Sequence, residues 1–598
     1  MSIGIVADSH RPPIPGASRV PGRDNGPVIG SLLGTTGRLG TTRRVVAALL
    51  GLLVLAAVVV AALLVDDSTP RPRPASAPAS EFSAERAMTQ LRHFATRPHP
   101  IGSAASDTTR NYLQARLRAA GLRVHTGRGV GHAEFPGGAV LGRVANIVAT
   151  LPGRDPTGSV IIAAHYDSVA DGPGAADDGS SVASMLETVR ALRAGGPLRN
   201  DVVLLITDGE EPGLLGSSAF VRDDPLARRR GVVLNWEARG TSGPSLMFET
   251  SRNNAKLIDI FAEGAPHPHG DSSLVELYRL LPNDTDFSNL RTRLPGLNSA
   301  FIGDVRFYHT AQDSVANLDW GTLQQHGANM LGLSRAFGDT DLSTLASDHD
   351  ETYFRFLGLL VHYSDVVTYL LAVLAVLAVL AFAALARRRR IASMPRMLLG
   401  AGSVLLPLVV AAALAQGLWW LVSTVRPEFS DALYRGLAFQ LAVLALVVLA
   451  VATWYGLLRK RIGPAALAVG GLGFLAVLGA LCVVALPGMS FLFAVPALTG
   501  ALGGLLALLV PGRVSALPVA VLGAAPAMVL LVPFGLLTLS GFGFEMGGAG
   551  AAAAVLVLSG LPLLAIVELA LPVDEGSAWR VSAVPLAALL AVVLLTAG

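Results

Sequence analysis

Apolar positions fall along this chain in two regimes. At 45–65, "VVAALLGLLVLAAVVVAALLV" runs for 21 residues without a charge, long enough as a helix to cross about 30 Å of hydrocarbon. The same regime returns after residue 350 in eight apolar segments, near 365–386, 397–422, 436–457, 464–486, 489–510, 514–539, 547–571 and 580–597. Between them, short β-like runs ("VANIVATL", "SVIIAAHYD", "DVVLLITD", "GVVLNWEA") alternate with helical ones ("SSVASMLETVRALRAGG", "GLLGSSAFVRD"). That alternation predicts an α/β domain with a mixed, mostly parallel sheet flanked by helices. The chain is therefore read as a disordered tail (1–42), a transmembrane helix (43–66), a Pro-rich linker (67–81), an α/β domain (82–348) and an α-helical polytopic membrane domain of about eight spans (349–598). The tail assignment rests on a Gly-, Pro-, Ser-, Thr- and Arg-rich stretch without periodicity.

Composition supports the membrane half. Charged residues make up 15% of the 598 positions, against about 25% in soluble proteins, and mean hydropathy is +0.54. A net charge of +3 offers no basic field for nucleic acid. Arg38, Arg43 and Arg44 precede the first apolar run, and Asp66 and Asp67 follow it. The positive-inside rule puts the N-terminus in the cytoplasm, and the length of the run and of the tail before it argue against a cleaved signal peptide. The basic clusters "ARRRR" (386–390) and "RKR" (459–461) fall on that same side if each segment spans once. A multi-pass cell-membrane protein with its α/β domain outside the cytoplasm follows. Cys482 is the single cysteine, so any transition-metal site must be built from His, Asp and Glu.

Those residue types concentrate at predicted strand ends. "HYDSVADGPGAADDGSS" follows the strand "SVIIAA" and contains His165, Asp167, Asp177 and Asp178; "TDGEEPGLLGS" contributes Glu210 and Glu211, "LNWEARG" Glu237, and "FYHTAQDS" His309. Crowded carboxylates repel, and cations offset that repulsion. Imidazole and carboxylate are the ligands a zinc ion takes where thiols are absent. Two ions about 3.5–4 Å apart need a shared carboxylate plus a His and a carboxylate each. Asp177 can bridge, His165 and Glu237 can hold one ion, and Glu211 and His309 the other. Glu210 is then left beside a ligand, placed to take a proton from water and pass it to a leaving amine. Asp167 suits a role behind His165, fixing the imidazole tautomer by a hydrogen bond.

The series His-x-Asp, Pro-Gly-x-x-Asp-Asp-Gly-Ser, Glu-Glu-x-Gly-x-x-Gly-Ser, Asn-x-Glu and Tyr-His-Thr-x-x-Asp, in that order over about 90–340, closely resembles the co-catalytic di-zinc aminopeptidases of metallopeptidase family twenty-eight. The resemblance implies a zinc-aminopeptidase-like fold, two Zn2+ per chain, ligands His165, Asp177, Glu211, Glu237 and His309, Glu210 as general base, a cis Asp177–Asp178 peptide, and removal of N-terminal residues from peptides. Glu237 stands where many soluble members have aspartate. With the one-plus-eight segment layout, it resembles the membrane-embedded branch of endoplasmic reticulum metallopeptidase and vacuolar membrane protease types. "PNDTDFSNL" (282–290) resembles that branch too, and implies that Asp284 or Asp286 lines the substrate site.

Other polar residues receive plainer readings. Glu187 and Arg190 are expected on a solvated helix face, and His267 and His269 in a surface loop. His93, His99, His326 and His349 belong to no such pattern. Glu568, inside an apolar segment, is either functional or interfacial, and Trp419 and Trp420 suggest an interfacial belt. Two rival functions stay open. One is a single-zinc glutaminyl-cyclase-like activity. The other is a non-hydrolytic transporter or scaffold that uses a peptidase-like domain as its receptor.

Overall fold

The first apolar run forms helix α1 (Val28–Asp66) in a computed structural model that describes residues 28–135, 137–281, 283–425, 437–541 and 547–570. The helix begins before the expected boundary. Residues 28–42, assigned to the tail, contain no proline, and a formed helix extends by one hydrogen bond per residue without a new nucleus. Residues 1–27 of that tail lie outside the described residues.

The α/β domain follows. Helices α2 (Ala84–Phe94) and α3 (Ala104–Ala119) lead into strands β1 (Arg123–Phe135), β2 (Gly138–Leu151) and β3 (Ser159–His165). Then come α4 (Gly179–Gly195), β4 (Asp201–Thr207), α5 (Leu215–Asp223), β5 (Gly231–Ala238) and β6 (Leu246–Thr250). After α6 (Ala255–Gly264), α7 (Ser272–Tyr278) and α8 (Asp286–Leu290), strand β7 (Gly296–Phe301) and helix α9 (Trp320–Asp339) complete it. The seven strands are ordered β1-β2-β4-β3-β5-β7-β6. The central β4, β3, β5 and β7 run parallel, and the outer pairs are antiparallel. Every residue of β3 and β5 is buried, which is why "SVIIAAH" and "GVVLNWEA" are not alternating patterns: helices cover both faces. Val160, Ile162 and Leu204 join the core on one face, and Ile161, Val203 and Phe287 that on the other. Ala163 pairs with Asn235, so His165 and Glu237, each two residues further on, leave adjacent strands on the same face.

The Pro-rich linker is not a free spacer, and the face of α4 bearing Glu187 is not solvated. Gln324 Oε1 accepts from the backbone N–H of Arg73 at 2.9 Å and of Ala84 at 3.0 Å. Glu187 is 3% exposed. It accepts from Arg86 Nε at 2.8 Å and Arg190 Nε at 2.7 Å, while Arg190 Nη1 donates to the Ala79 carbonyl at 2.7 Å. Hydropathy predicts solvent for such residues. Here one buried carboxylate is held between two guanidiniums under a covering segment.

The boundary expected at residue 349 also differs. Residues 352–363 form a hairpin of β8 (Thr352–Phe356) and β9 (Leu359–Tyr363). Its two-residue turn, Leu357 and Gly358, has φ of 51° and 85°, the doubly positive geometry that fits the twist of a tight hairpin. The hairpin ties the halves together. Phe354 stacks on Phe491 at 4.1 Å, and Arg355 Nε lies 3.2 Å from Asp66 Oδ1 at the end of α1.

Helices α10 (Asp365–Arg388), α11 (Met394–Ser403), α12 (Leu405–Val425), α13 (Leu437–Leu458), α14 (Pro464–Ala485), α15 (Phe491–Leu509), α16 (Arg513–Gly541), α17 (Gly548–Gly560) and α18 (Leu564–Ala570) make up the rest. Among the described residues, 8 helical segments including α1 are long and apolar enough to cross a membrane. The segment expected at 580–597 lies outside the described residues. Glu568 sits on α18, where Arg513 donates to its carbonyl at 3.5 Å. Trp419 packs with Ala411, Ala415 and Phe439 inside the bundle, while Trp420 is exposed. Adjacent helix positions face different ways.

Candidate metal centre

Parallel strands deliver their carboxyl ends to one edge, and the acidic loops leave from there. His165 is the last residue of β3, Glu210 and Glu211 lie in the turn after β4, and Glu237 is near the end of β5. His309 comes from the loop between β7 and α9. Two three-residue groups result: His165, Asp177 and Glu237, and Asp177, Glu211 and His309, each with donor atoms within 4.8 Å of one another. His165 Nε2 is 3.1 Å from Asp177 Oδ1 and 3.7 Å from Glu237 Oε2. His309 Nε2 is 3.2 Å from Asp177 Oδ2 and 2.9 Å from Glu211 Oε2. The two oxygens of Asp177 thus face different imidazoles, and Asp177 is common to both groups. A third group brings together Asp259 on α6, Glu351 just before β8 and His362 on β9.

The loop that carries Asp177 is held by its neighbours. Gly174 has φ of 62°, and a Cβ there would lie 2.6 Å from the Asp177 carbonyl oxygen, so this position needs glycine. Asp313 accepts from the backbone N–H of Ala176 at 2.7 Å and of Asp177 at 3.1 Å. Asp178 accepts from His165 N–H at 3.2 Å, and the Asp177–Asp178 peptide is cis.

Asp167 reaches His165 through its main chain. The group on His165 Nδ1 is its main-chain carbonyl, at 2.9 Å. Its carboxylate instead accepts three backbone N–H groups of the turn after β4: Gly209 at 2.8 Å, Glu210 at 3.0 Å and Glu211 at 3.3 Å. One side chain therefore joins the loop after β3 to the two glutamates. Asp167→Asn leaves one acceptor oxygen for three donors. It is expected to weaken metal affinity or turnover by about 10–100-fold, read by competition with a chromogenic chelator.

Charge balance in the cluster is tight. Burial pulls the His165 pKa down, but the Asp167 and Asp177 carboxylates beside the ring, 3.6 Å and 3.1 Å away, carry it well above its usual value. His309, subject to the same opposition, is carried up to about 10 by Asp177 and Glu211. Burial raises Glu210, Glu211 and Glu237, with Asp177 adding to Glu211 and Asp178 to Glu237. The cluster alone thus holds protons that an entering cation must displace, and the cation's affinity falls as the pH falls.

A cavity of 430 Å³ opens on this edge, lined by Asp177, Glu210 and Glu237 and by Arg239, Asp284 and Tyr308. Asp286, by contrast, is fully buried and bonded to the Thr207 hydroxyl, behind the cavity rather than on its wall. Sequence reasoning assigned no role to three residues of the site. Tyr308 stacks on the His309 ring at 3.7 Å, the Arg239 guanidinium lies 5.9 Å from the Tyr308 ring centre, and Asp313 braces the Asp177 loop. Tyr308 and Asp313 stand inside the quoted "FYHTAQDS", so the signal was adjacency to His309.

Residues 146–334 match peptidase family M28. Endoplasmic reticulum metallopeptidase 1 of Mus musculus is 31% identical over 304 residues, 47% of this chain and 34% of the mouse protein. A vacuolar membrane protease of Pyrenophora teres f. teres is 29% identical over 309 residues, 46% of this chain and 32% of that protein. The chain thus spans about a third of the length of these curated relatives. Among solved structures, an aminopeptidase from Aneurinibacillus sp. strain AM-1 aligns with a TM-score of 0.37 at 13% identity, covering 45% of this chain and 98% of the aminopeptidase.

Proposed function

We propose, starting from the family M28 peptidase domain at residues 146–334, that the chain is a multi-pass cell-membrane zinc exopeptidase. In this reading it is an aminopeptidase whose α/β domain lies outside the cytoplasm and whose substrates are peptides with free N-termini. The observation that supports the reading is the pair of donor groups sharing Asp177 beside Glu210.

The donors suit zinc, being imidazole nitrogens and carboxylate oxygens at a site without thiols. Glu211 Oε1 is buried and has no hydrogen-bond partner, and a cation would satisfy it. His165, Asp177 and Glu237 would hold one ion, and Asp177, Glu211 and His309 a second. Bound there, the ions would supply Lewis acidity toward a peptide carbonyl and make a water more acidic.

The chain's own groups do the rest. A Glu210 carboxylate oxygen takes the proton from water and delivers it to the departing amine nitrogen. Asp167 keeps Glu210 and Glu211 in register with the loop after β3. Tyr308, stacked on His309, holds that imidazole toward Asp177 and Glu211. Asp284, on the cavity wall, offers a negative group to the substrate's free amine.

The test is a panel of aminoacyl reporters and short peptides on the purified full chain, with N-acetylated counterparts. Free N-termini should be removed stepwise and the acetylated forms left intact. Cleavage of acetylated peptides at internal bonds at a comparable rate contradicts the exopeptidase reading.

A further inference from the structure

Among the described residues, one in the wall of the cavity belongs to the membrane half. Leu537, on α16, lines the same space as Asp177, Glu210 and Glu237. Beside it the lining is apolar: Leu246 and Phe248 from β6, and Leu274, Leu277 and Leu281 from α7 and the turn after it. Helix α7 is shared between the halves. Its Leu274 and Leu277 also pack against the core of the membrane bundle. The Ser272 hydroxyl donates to the Gly488 carbonyl at 2.8 Å, and Gly488 N–H donates to Glu276 Oε1 at 3.4 Å. The contact is close at Gly488 itself, where a Cβ would lie 2.9 Å from the Ser272 carbonyl oxygen. Helix α16 is fixed in turn. Where it crosses α15, a Cβ on Gly523 would lie 2.8 Å from the Cα of Gly503. Both walls that face the acidic edge are therefore anchored in the bundle.

We propose that α16 and α7 form an apolar subsite of the reaction cavity, that this subsite takes a large apolar side chain of the substrate, and that Leu537 sets its size. The membrane domain then does more than anchor the α/β domain: it completes the site. The inference rests on the aminopeptidase reading for the identity of the substrate, but not for the existence of the subsite. An apolar pocket tells side chains apart by size, at about 10–200-fold per methylene-scale difference. A residue on the pocket wall therefore changes a ratio of rates between substrates.

The experiment uses the full chain in nanodiscs, loaded with zinc. Phenylalanyl and alanyl reporters are compared by kcat/KM in wild type, Leu537→Trp and Leu537→Ala. The phenylalanyl-to-alanyl ratio should fall by about tenfold or more in L537W, which fills the subsite, and rise in L537A. Ratios within about twofold of wild type in both variants overturn the inference.

A second readout does not depend on turnover. In a Cys482→Ser background, Leu537→Cys is labelled with a small water-soluble maleimide in the presence of phenylalanine hydroxamate or glycine hydroxamate. The phenylalanine compound alone should slow labelling. Protection without turnover of any reporter keeps the subsite and removes the peptidase reading. Turnover without protection removes the subsite and keeps the peptidase.

Discussion

Replacing Glu210 by Gln should lower kcat by about 10²–10⁴-fold and leave the metal content of the protein unchanged. Glu210 belongs to neither donor group, so losing its charge takes no ligand from an ion. It lines the cavity beside Asp177 and Glu237, where a group that moves a proton between water and a leaving amine has to be. Glutamine has the same shape and cannot accept that proton. A loss confined to chemistry appears equally in kcat and kcat/KM, with KM little changed. Near-normal turnover by E210Q would assign the proton transfer to another group, and loss of metal in E210Q would make Glu210 a ligand.

The second large effect is expected at Asp177. Its two oxygens lie 3.1 Å and 3.2 Å from the two imidazoles, and both donor groups depend on it. Asp177→Ala leaves each group with one imidazole and one carboxylate, short of the three protein ligands typical of a catalytic zinc site. Both ions should leave, and turnover should fall to background, at least about 10³-fold. His309→Ala is the comparison, because it shortens only the Glu211 group and should lose one ion. Two ions retained in D177A would mean that Asp177 is no bridge.

The donor cluster was legible because it follows residue type. Without thiols, a metal site must gather imidazoles and carboxylates, and the sheet brings His165, Glu211 and Glu237 to one edge since each sits at or just beyond the end of a parallel strand. Whatever depended on tertiary covering was not legible. Glu187 has the polarity of a surface face and is enclosed, with Arg190 half-buried beside it, by a segment about a hundred positions earlier, which no local pattern records. Trp419 and Trp420 are identical in composition, and only the position of neighbouring helices decides which one is buried. The hairpin at 352–363 was absorbed into the membrane half, because its apolar residues continue those of α10. For Asp167 the spacing to His165 was informative, but the carboxylate's partners, the N–H groups of Gly209, Glu210 and Glu211, lie on a different strand end. Leu537 carried no sequence signal, since α16 borders a cavity whose other walls come from α7, β6 and the acidic edge.

The most direct test of the account is elemental analysis of the purified full chain, alongside its turnover of an aminoacyl reporter before and after dialysis against a chelator. Two zinc equivalents per chain, lost on chelation together with activity and regained together on adding zinc, are what the two donor groups around Asp177 predict. A chain that hydrolyses the reporter with no bound metal, or that saturates at one ion, would contradict the shared-carboxylate site.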